Sequence, residues 1–312
     1  MFSRSPWASA ALRLALAQGE RLNALLRLRI IDFAIAVSYH FSMELFRDKA
    51  ILITGASSGI GKETALRLAS YGARLGLASR NRDALEDVRA AIVKIGGQAV
   101  VLPTDVTVAD QVRDAVDGTV QAFGKLDILI SSAGLSMRAY FECSQLDAME
   151  RVMRVNFFGT LYATHFALPH IIKTKGSMVG LSSMTGQRGI PSYSIYGASK
   201  FAVQGFYDAL RLEVARHGVH VGVLAPAFVD TPLRDNVLGP DGKPWDVQPP
   251  PPFRIWPVAK CVDYLVHLIV KRKRKALLPR VTGPLLVIDE ITGRWIGDRI
   301  VKRRFPPEGN MK

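Results

Sequence analysis

Residues 50–61 read Ala-Ile-Leu-Ile-Thr-Gly-Ala-Ser-Ser-Gly-Ile-Gly, and the fold class can be inferred from them. It begins as a short apolar run typical of a buried strand, and a helix-like pattern follows it. Glycines at 55, 59 and 61 allow a tight turn and a close approach of the backbone to a ligand. The free N–H groups at the start of the following helix would attract a pyrophosphate. The stretch therefore predicts a strand–turn–helix unit that binds a dinucleotide.

Beyond this unit, short apolar runs and amphipathic stretches alternate to about residue 280. The alternation predicts an α/β fold, a Rossmann-like doubly wound parallel sheet with helices on both faces. We expect strands at 50–54, 73–78, 99–102, 126–131, 177–181 and 219–224, and a last one near 276–279. We expect helices at about 60–70, 81–95, 107–123, 144–173, 194–217 and 257–271, and a further one within 9–43.

The formal net charge of +14 is concentrated at the two ends of the chain. Residues 1–43 hold five Arg and two acids, which gives +3, and residues 258–312 hold thirteen Lys/Arg and five acids, which gives +8. Because apolar residues lie among these cations, we expect peripheral contact with an anionic membrane surface, with a solvated basic face as the alternative. Nucleic acid binding is not expected. The first 19 residues hold Arg4 and Arg13 and no acid, which leaves a mitochondrial targeting segment open beside a plain amphipathic arm.

Cysteine and histidine usage narrows the class of protein further. Cys143 and Cys261 form neither a disulfide framework nor a CxxC motif, so a reducing, cytoplasmic setting is expected. The six histidines form no HxH or HExxH motif, so no metal site is expected. No uncharged apolar run approaches the ~20 residues that a membrane-spanning helix needs.

The second predicted strand ends at Ser79 and Arg80. An acid at this point would accept a hydrogen bond from the ribose 2′-OH of NAD, whereas an arginine suits the 2′-phosphate of NADP. Arg80, with Ser79, therefore favours NADP(H) over NAD(H), and a merely solvated Arg80 is the alternative.

Residues 196–200 read Tyr-Gly-Ala-Ser-Lys within a predicted helix. Residues four apart share a helix face, so we expect the Lys200 ammonium beside the Tyr196 phenol. A free phenol has a pKa of about 10, and a nearby cation would lower that pKa. The residue four positions after Tyr193 is Gly197, which offers no charge. The pair favours Tyr196 as a general acid and base, and a chance pairing on the surface is the alternative.

The 54–61 turn, the 196–200 segment and the spacing between them resemble the short-chain dehydrogenase/reductase family, from about residue 48 to 280. The resemblance implies an NADP(H)-dependent oxidoreductase that interconverts a carbonyl and an alcohol. Its implied catalytic residues are Tyr196 with Lys200, Ser183 to orient the substrate, and Asn156 to hold a water of the proton relay. The implied cofactor-binding residues are Gly55, Ser57, Ser58, Gly59, Ile60, Gly61, Ser79, Arg80, Asp105, Val106, Ser132, Ala133, Gly134, Tyr196, Lys200, Pro226, Val229 and Thr231.

Two segments depart from the family pattern. Residues 131–134 read Ser-Ser-Ala-Gly where the family has Asn-Asn-Ala-Gly, and serine hydrogen-bonds over a shorter reach. Pro226-Ala227 stands where the family has Pro-Gly, although Thr231 is retained. Neither change removes a catalytic group.

We divide the chain into an N-terminal helical arm (1–46), one Rossmann-fold catalytic domain (47–280) and an apolar, basic C-terminal extension (281–312). A proline-rich loop at about 227–257 would cap the substrate cleft. Its aromatic residues, with an apolar group opposite, predict a lipophilic substrate such as a steroid, retinoid or fatty acyl derivative, and packing as core is the alternative. These residues are Phe228, Trp245, Phe253 and Trp256 in the loop, and Met137, Tyr140, Phe141 and Cys143 opposite.

A second class of function stays open beside the enzyme. The chain could be a catalytically silent cofactor-binding or membrane-associated scaffold protein with the same fold. The family resemblance also implies a homodimer or homotetramer.

Overall fold

The computed structural model describes residues 44–245 and 253–304. The helix expected within 9–43 and the last part of the C-terminal extension therefore lie outside the described residues. Within the described ranges, no helix is long and apolar enough to span a bilayer. The same ranges hold no group of three His, Cys, Asp or Glu side chains that could bind a metal.

Seven parallel strands form one sheet in the order β3-β2-β1-β4-β5-β6-β7. All residues of the four central strands β1, β4, β5 and β6 are buried, because helices cover both faces of the sheet. The predicted Rossmann-like sheet is confirmed, and the strand ends differ from expectation by one or two residues. The strands are β1 (Ala50–Thr54), β2 (Arg74–Ser79), β3 (Gln98–Pro103), β4 (Ile128–Ser131), β5 (Ser177–Leu181), β6 (His220–Pro226) and β7 (Lys275–Leu278).

Two hydrophobic clusters, one on each face of the sheet, hold the helices in place. Helices α1, α2 and α8 contribute to one cluster, and α3, α5 and α6 contribute to the other. The helices are α1 (Gly59–Ser70), α2 (Arg82–Lys94), α3 (Ala109–Phe123), α4 (Leu146–Met153), α5 (Gly159–Thr174), α6 (Ser194–Glu213), α7 (Pro232–Asp235), α8 (Val258–Val270), α9 (Thr282–Ile291) and α10 (Trp295–Arg304).

The single helix expected over 144–173 is interrupted by a π-helical turn, Arg154–Phe158. Helix α4 packs against Met137 and Leu238 under the substrate loop, whereas α5 packs on the sheet. A π turn adds a residue to a helical turn and often marks a functional site. Here it carries the buried Asn156.

Two further segments have more regular structure than their sequences indicate. The loop at 227–257 contains α7, and single bridges tie Val229 to Trp256 and Met137 to Leu238. The extension forms α9 and α10, which we call the C-terminal hairpin (residues 282–304). Neither the bridges of the loop nor the C-terminal hairpin can be predicted from local sequence patterns, because both depend on contacts with distant parts of the chain.

Candidate active site

A cleft of about 1310 Å³ opens at the carboxyl ends of the strands, where the strand order reverses between β1 and β4. Open α/β sheets bind their ligands at this position. Every cofactor-binding residue expected from the sequence lines the cleft, and so do Ser183, Tyr196 and Lys200. The structure thus brings together residues that are more than 150 positions apart in the chain.

The glycine-rich turn is packed too closely for side chains. A Cβ on Gly55 would lie 2.8 Å from the backbone of Ala133, and one on Gly61 would lie 2.7 Å from Ser132 Oγ. The side chain of Ser58 at the N-cap of α1 accepts no capping hydrogen bond. The first N–H groups of α1 therefore stay available at the cleft wall, which fits a dinucleotide pyrophosphate.

Ser132 keeps the ends of β1 and β4 joined although it replaces a longer side chain. Its Oγ donates a hydrogen bond to the Thr54 carbonyl oxygen over 2.8 Å. The Thr54 hydroxyl oxygen in turn accepts hydrogen bonds from the N–H groups of Ser132 (3.2 Å) and Ala133 (3.3 Å). Serine at position 132 therefore still links the ends of β1 and β4 by hydrogen bonds.

One end of the cleft carries groups that suit an adenosine and its substituents. The Arg80 side chain is exposed and forms no ion pair within the described ranges, while Ser79 Oγ is buried without a hydrogen-bond partner. Burial alone would raise the pKa of Asp105, but hydrogen bonds from Thr107 and the charges of Arg80 and Arg151 lower it. An anionic carboxylate, a free arginine and an unsatisfied hydroxyl together fit a phosphorylated ribose and an adenine.

The other end of the cleft holds the expected proton-transfer group. The side chains of Ser183, Tyr196 and Lys200 are all buried, and the Ser183 hydroxyl acts to lower the pKa of the Tyr196 phenol. Lys200 Nζ donates to the Leu181 carbonyl oxygen over 3.0 Å and lies 5.8 Å from the centre of the Tyr196 ring. The lysine and the phenol are therefore neighbours at the cleft wall.

The pKa of Tyr196 is raised, in contrast to the lowering by Lys200 that the sequence predicts. Burial raises the pKa of Tyr196 to about 12, against the opposing effect of the Ser183 hydrogen bond. Burial also lowers the pKa of Lys200 to about 8. Both shifts have one cause, since removing water from this wall disfavours the phenolate and the ammonium alike. Tyr196 is thus held as a neutral phenol.

Asn156 lies behind the cleft wall instead of lining it. Its Nδ2 donates to the Leu135 carbonyl oxygen and to Ser199 Oγ, each over 2.9 Å, and its Oδ1 accepts from the Leu135 N–H over 2.7 Å. A Cβ on Gly134 would lie 3.2 Å from Asn156 Oδ1 and 3.5 Å from Lys200 Nζ. Asn156 and Lys200 therefore flank the same glycine without touching each other directly.

The substrate side of the cleft is only partly as expected. Phe228, Phe253 and Trp256 line it, whereas Trp245 does not. The apolar group expected opposite is also absent from the wall. Met137 is core, and Tyr140, Phe141 and Cys143 do not border the cleft. Side chains missed by the sequence argument take their place, and they are Arg138, Ile190, Val237, Leu285, Leu286, Ile288 and Ile300.

Arg188 joins the C-terminal hairpin to the domain at this side of the cleft. Its guanidinium contacts the carboxylates of Asp289 on α9 and Asp298 on α10, and it donates to the Arg294 carbonyl oxygen over 3.3 Å. The Arg188 side chain is 12% exposed. No local motif signals this contact, because its partners are about 100 residues away in the chain.

Comparisons with known proteins agree with this architecture. The short chain dehydrogenase family model matches residues 49–240. An Arabidopsis thaliana protein named 11-beta-hydroxysteroid dehydrogenase-like 4A is 35% identical over 232 residues, which is 74% of this chain and 76% of that protein. Another from the same plant, 11-beta-hydroxysteroid dehydrogenase-like 2, is 37% identical over 196 residues, 62% of this chain and 63% of its own length. The match thus spans just under two thirds of that relative.

Solved structures give the same result for the fold. A dehydrogenase/reductase from Sinorhizobium meliloti 1021 superposes with a TM-score of 0.66 at 26% identity, covering 77% of this chain and 96% of that one. An alcohol dehydrogenase from Thermococcus sibiricus superposes with a TM-score of 0.65 at 24% identity, covering 73% and 95%. With the family match across the glycine-rich turn and most of the sheet, the chain belongs to the short-chain dehydrogenase/reductase family.

Proposed function

We propose that this protein interconverts a carbonyl and an alcohol on a lipophilic substrate with NADP(H), and that Tyr196 is the proton donor and acceptor. One observation carries the proposal. The Tyr196 phenol is buried beside Ser183, whose hydroxyl lowers its pKa, in a cleft whose other end is a glycine-rich turn with uncapped N–H groups. A poised acid and a dinucleotide cradle in one cavity are the parts that hydride transfer to a carbonyl requires.

The bound nicotinamide would supply the hydride that reaches the carbonyl carbon. In that direction Tyr196 donates its phenolic proton to the carbonyl oxygen, while the Ser183 hydroxyl holds the same oxygen by a hydrogen bond. Lys200 stabilises the phenolate that remains, and it would also hold the ribose hydroxyls. A proton from solvent then restores the phenol. Asn156 positions this wall through its bonds to Leu135 and Ser199.

Replacement of the phenol tests the assignment. Tyr196→Phe removes one hydroxyl and is expected to lower turnover by about 10²–10⁴-fold while NADPH still binds. Tyr193→Phe is the matched variant, because its ring lies 6.2 Å from that of Tyr196 and it is not the proposed acid. We expect Tyr193→Phe to stay within several-fold of the parent. Full turnover in Tyr196→Phe would refute the role, whereas a parent protein that binds NADPH but reduces no carbonyl would favour the silent scaffold.

The preference for NADP(H) rests on Arg80 and the unsatisfied Ser79 hydroxyl at the adenosine end. An arginine beside a buried hydroxyl suits a phosphate better than a neutral 2′-OH. Arg80→Asp should therefore weaken NADPH binding by more than about tenfold and leave NADH much less affected. Lys94→Asp, at the far end of α2, makes the same charge change away from the cleft. Equal losses for both cofactors would rule out a phosphate contact.

The lipophilic substrate class is supported by the apolar side chains that line the cleft. Phe228, Ile190, Val237 and Leu286 line the cleft, and two similar Arabidopsis proteins are named 11-beta-hydroxysteroid dehydrogenase-like. Apolar walls with few polar groups bind apolar ligands. A panel of steroid, retinoid and long-chain aldehydes or ketones, read by NADPH consumption, tests the class. Faster turnover of small polar carbonyls than of every lipophilic one would contradict it.

A further inference from the structure

The C-terminal hairpin has a row of apolar side chains that no described residue covers. Ile291 is 80% exposed and Trp295 is 60% exposed, and Val287 and Ile288 are also more than half exposed. Large side chains of this kind normally find a covering surface when they stand next to one another. On α9, residues 284, 287, 288 and 291 recur at helical spacing and so share one face.

Cations accompany the apolar row. Residues 281–304 hold five Lys/Arg and three acids, and two of those acids, Asp289 and Asp298, already contact Arg188. The last turn of α10 carries Lys302, Arg303 and Arg304. Arg299 lies over the Trp295 ring at 4.1 Å, so its charge sits directly at the apolar row. The exposed surface is therefore both apolar and cationic.

The same hairpin forms part of the cleft mouth. Leu285, Ile288 and Ile300 line the cleft and are each about half exposed, so they connect its interior with the outer face of the hairpin. Arg188 keeps α9 and α10 in this position. Whatever surface covers the apolar row would consequently meet the opening of the cleft.

We propose that the C-terminal hairpin lies on an anionic lipid bilayer, with Val287, Ile291 and Trp295 among the acyl chains and Lys302 and Arg303 at the headgroups. A bilayer is the occupant that matches both properties, since an apolar face flanked by cations is complementary to anionic headgroups above hydrocarbon. This placement sets the cleft mouth against the lipid surface. The docking proposal depends on the proposed function in one respect, that a lipophilic substrate would have a direct path from the lipid surface to Tyr196.

The test uses a dye that reports on one position in the full chain. An environment-sensitive fluorophore is attached to Ile291→Cys in a Cys143→Ser background, since the remaining Cys261 is fully buried. Vesicles contain phosphatidylcholine alone or phosphatidylcholine and phosphatidylserine in equal parts. The matched control is Ile95→Cys, which is 56% exposed beside β3 at the opposite edge of the sheet from the hairpin.

We expect a blue shift at position 291 with the phosphatidylserine vesicles and none at position 95. Lys302→Gln with Arg303→Gln should lower the affinity for these vesicles about thirtyfold, since each cation contributes somewhat more than fivefold. The proposal fails if position 291 does not respond. It also fails if 291 is already blue-shifted without vesicles, because segment 1–43 would then cover it, or if the shift follows protein concentration alone, because a second copy would then cover it.

Turnover of a water-soluble aldehyde with NADPH separates this proposal from the proposed function. The Lys302→Gln, Arg303→Gln protein should keep that turnover, because neither residue lines the cleft. Loss of vesicle binding with intact turnover would show that the bilayer contact and the chemistry are separate. Vesicle binding by a parent protein that reduces no carbonyl would refute the oxidoreductase role and leave the docking surface standing.

Discussion

The proton-transfer wall and the C-terminal hairpin border the same cleft, yet they are held in opposite ways. Tyr196 and Lys200 lie on α6, which is fixed from behind by a 2.9 Å hydrogen bond from Ser182 Oγ to the Lys200 carbonyl oxygen. The hairpin exposes most of its apolar residues and is joined to the domain through Arg188. The difference indicates that reacting groups sit on rigid buried elements, while the substrate wall is an element that can shift without disturbing them.

The largest expected effect is at the rigid side, in Gly61→Ala. The added methyl group would lie 2.7 Å from Ser132 Oγ and against the Gly55 carbonyl oxygen. Overpacking of this kind costs about 1–3 kcal/mol, so we expect a lower melting temperature and weaker NADPH binding. Gly205→Ala on α6 is the matched control, because its Cβ would meet nothing within 4 Å. It should be neutral or stabilising by about 0.5–1 kcal/mol. Equal melting temperatures for the two variants would contradict the close packing of the glycine-rich turn.

Gly134→Ala should affect chemistry more than stability. Its methyl group would press on Asn156 Oδ1 at 3.2 Å and approach Lys200 Nζ at 3.5 Å. Small displacements of reacting groups lower rates steeply, so we expect kcat/KM to fall about tenfold with little change in melting temperature. Gly205→Ala again serves as the control. A Gly134→Ala protein with parental kcat/KM would show that Lys200 tolerates displacement.

The pH profile of the reductive reaction tests the role of the Lys200 charge on the rigid side of the cleft. Lys200, whose pKa burial lowers to about 8, loses its charge as the pH rises through that value. Tyr196, with a pKa of about 12, remains protonated there. Since kcat/KM reports groups of the free enzyme, it should decline above about pH 8. Lys200→Arg keeps a charge at these pH values, so its profile should lack this decline. A parental profile that stays level well above pH 8 would contradict the role of the lysine charge.

The smallest effect on global stability is expected from Arg188→Ala, on the hairpin side. The variant leaves Asp289 without its cation, so the hairpin should open more often. Hydrogen–deuterium exchange in residues 282–304 should become on the order of tenfold faster, while exchange in β1 and β4 stays unchanged. Arg294→Ala removes a partner of Glu290 on the exposed surface and should change little. Faster exchange in the central strands would show that the hairpin is part of the rigid core.

The sequence predicts the sheet, the glycine-rich turn and the Tyr196–Lys200 pair because each depends on short-range spacing. Strand and helix periods are visible within a dozen residues, and the i,i+4 relation places two side chains on one face. The π turn at Asn156 is not visible in this way, since one extra residue in a helical turn leaves the apolar pattern nearly unchanged. The Arg188 contacts and the apolar wall formed by α9 join residues far apart in the chain.

The error over the Tyr196 pKa has the same origin. Helical spacing indicates correctly that an amine lies near the phenol. It does not reveal that both groups are buried, and burial acts on the two pKa values more strongly than their proximity does. Exposure is a property of the packed domain, so no five-residue pattern contains it.

The π-helical turn at Arg154–Phe158 changes the rotation of α4 relative to α5 within an otherwise continuous helix. One residue corresponds to about 100° of rotation, so the extra one lets α4 and α5 present different sides to different neighbours. Deleting a single residue here would restore a regular helix and swing everything upstream around its axis. Met149 and Val152 would then leave the cluster under the substrate loop. A regular helix could therefore keep the packing of α5 on the sheet only by losing the packing of α4 against the loop.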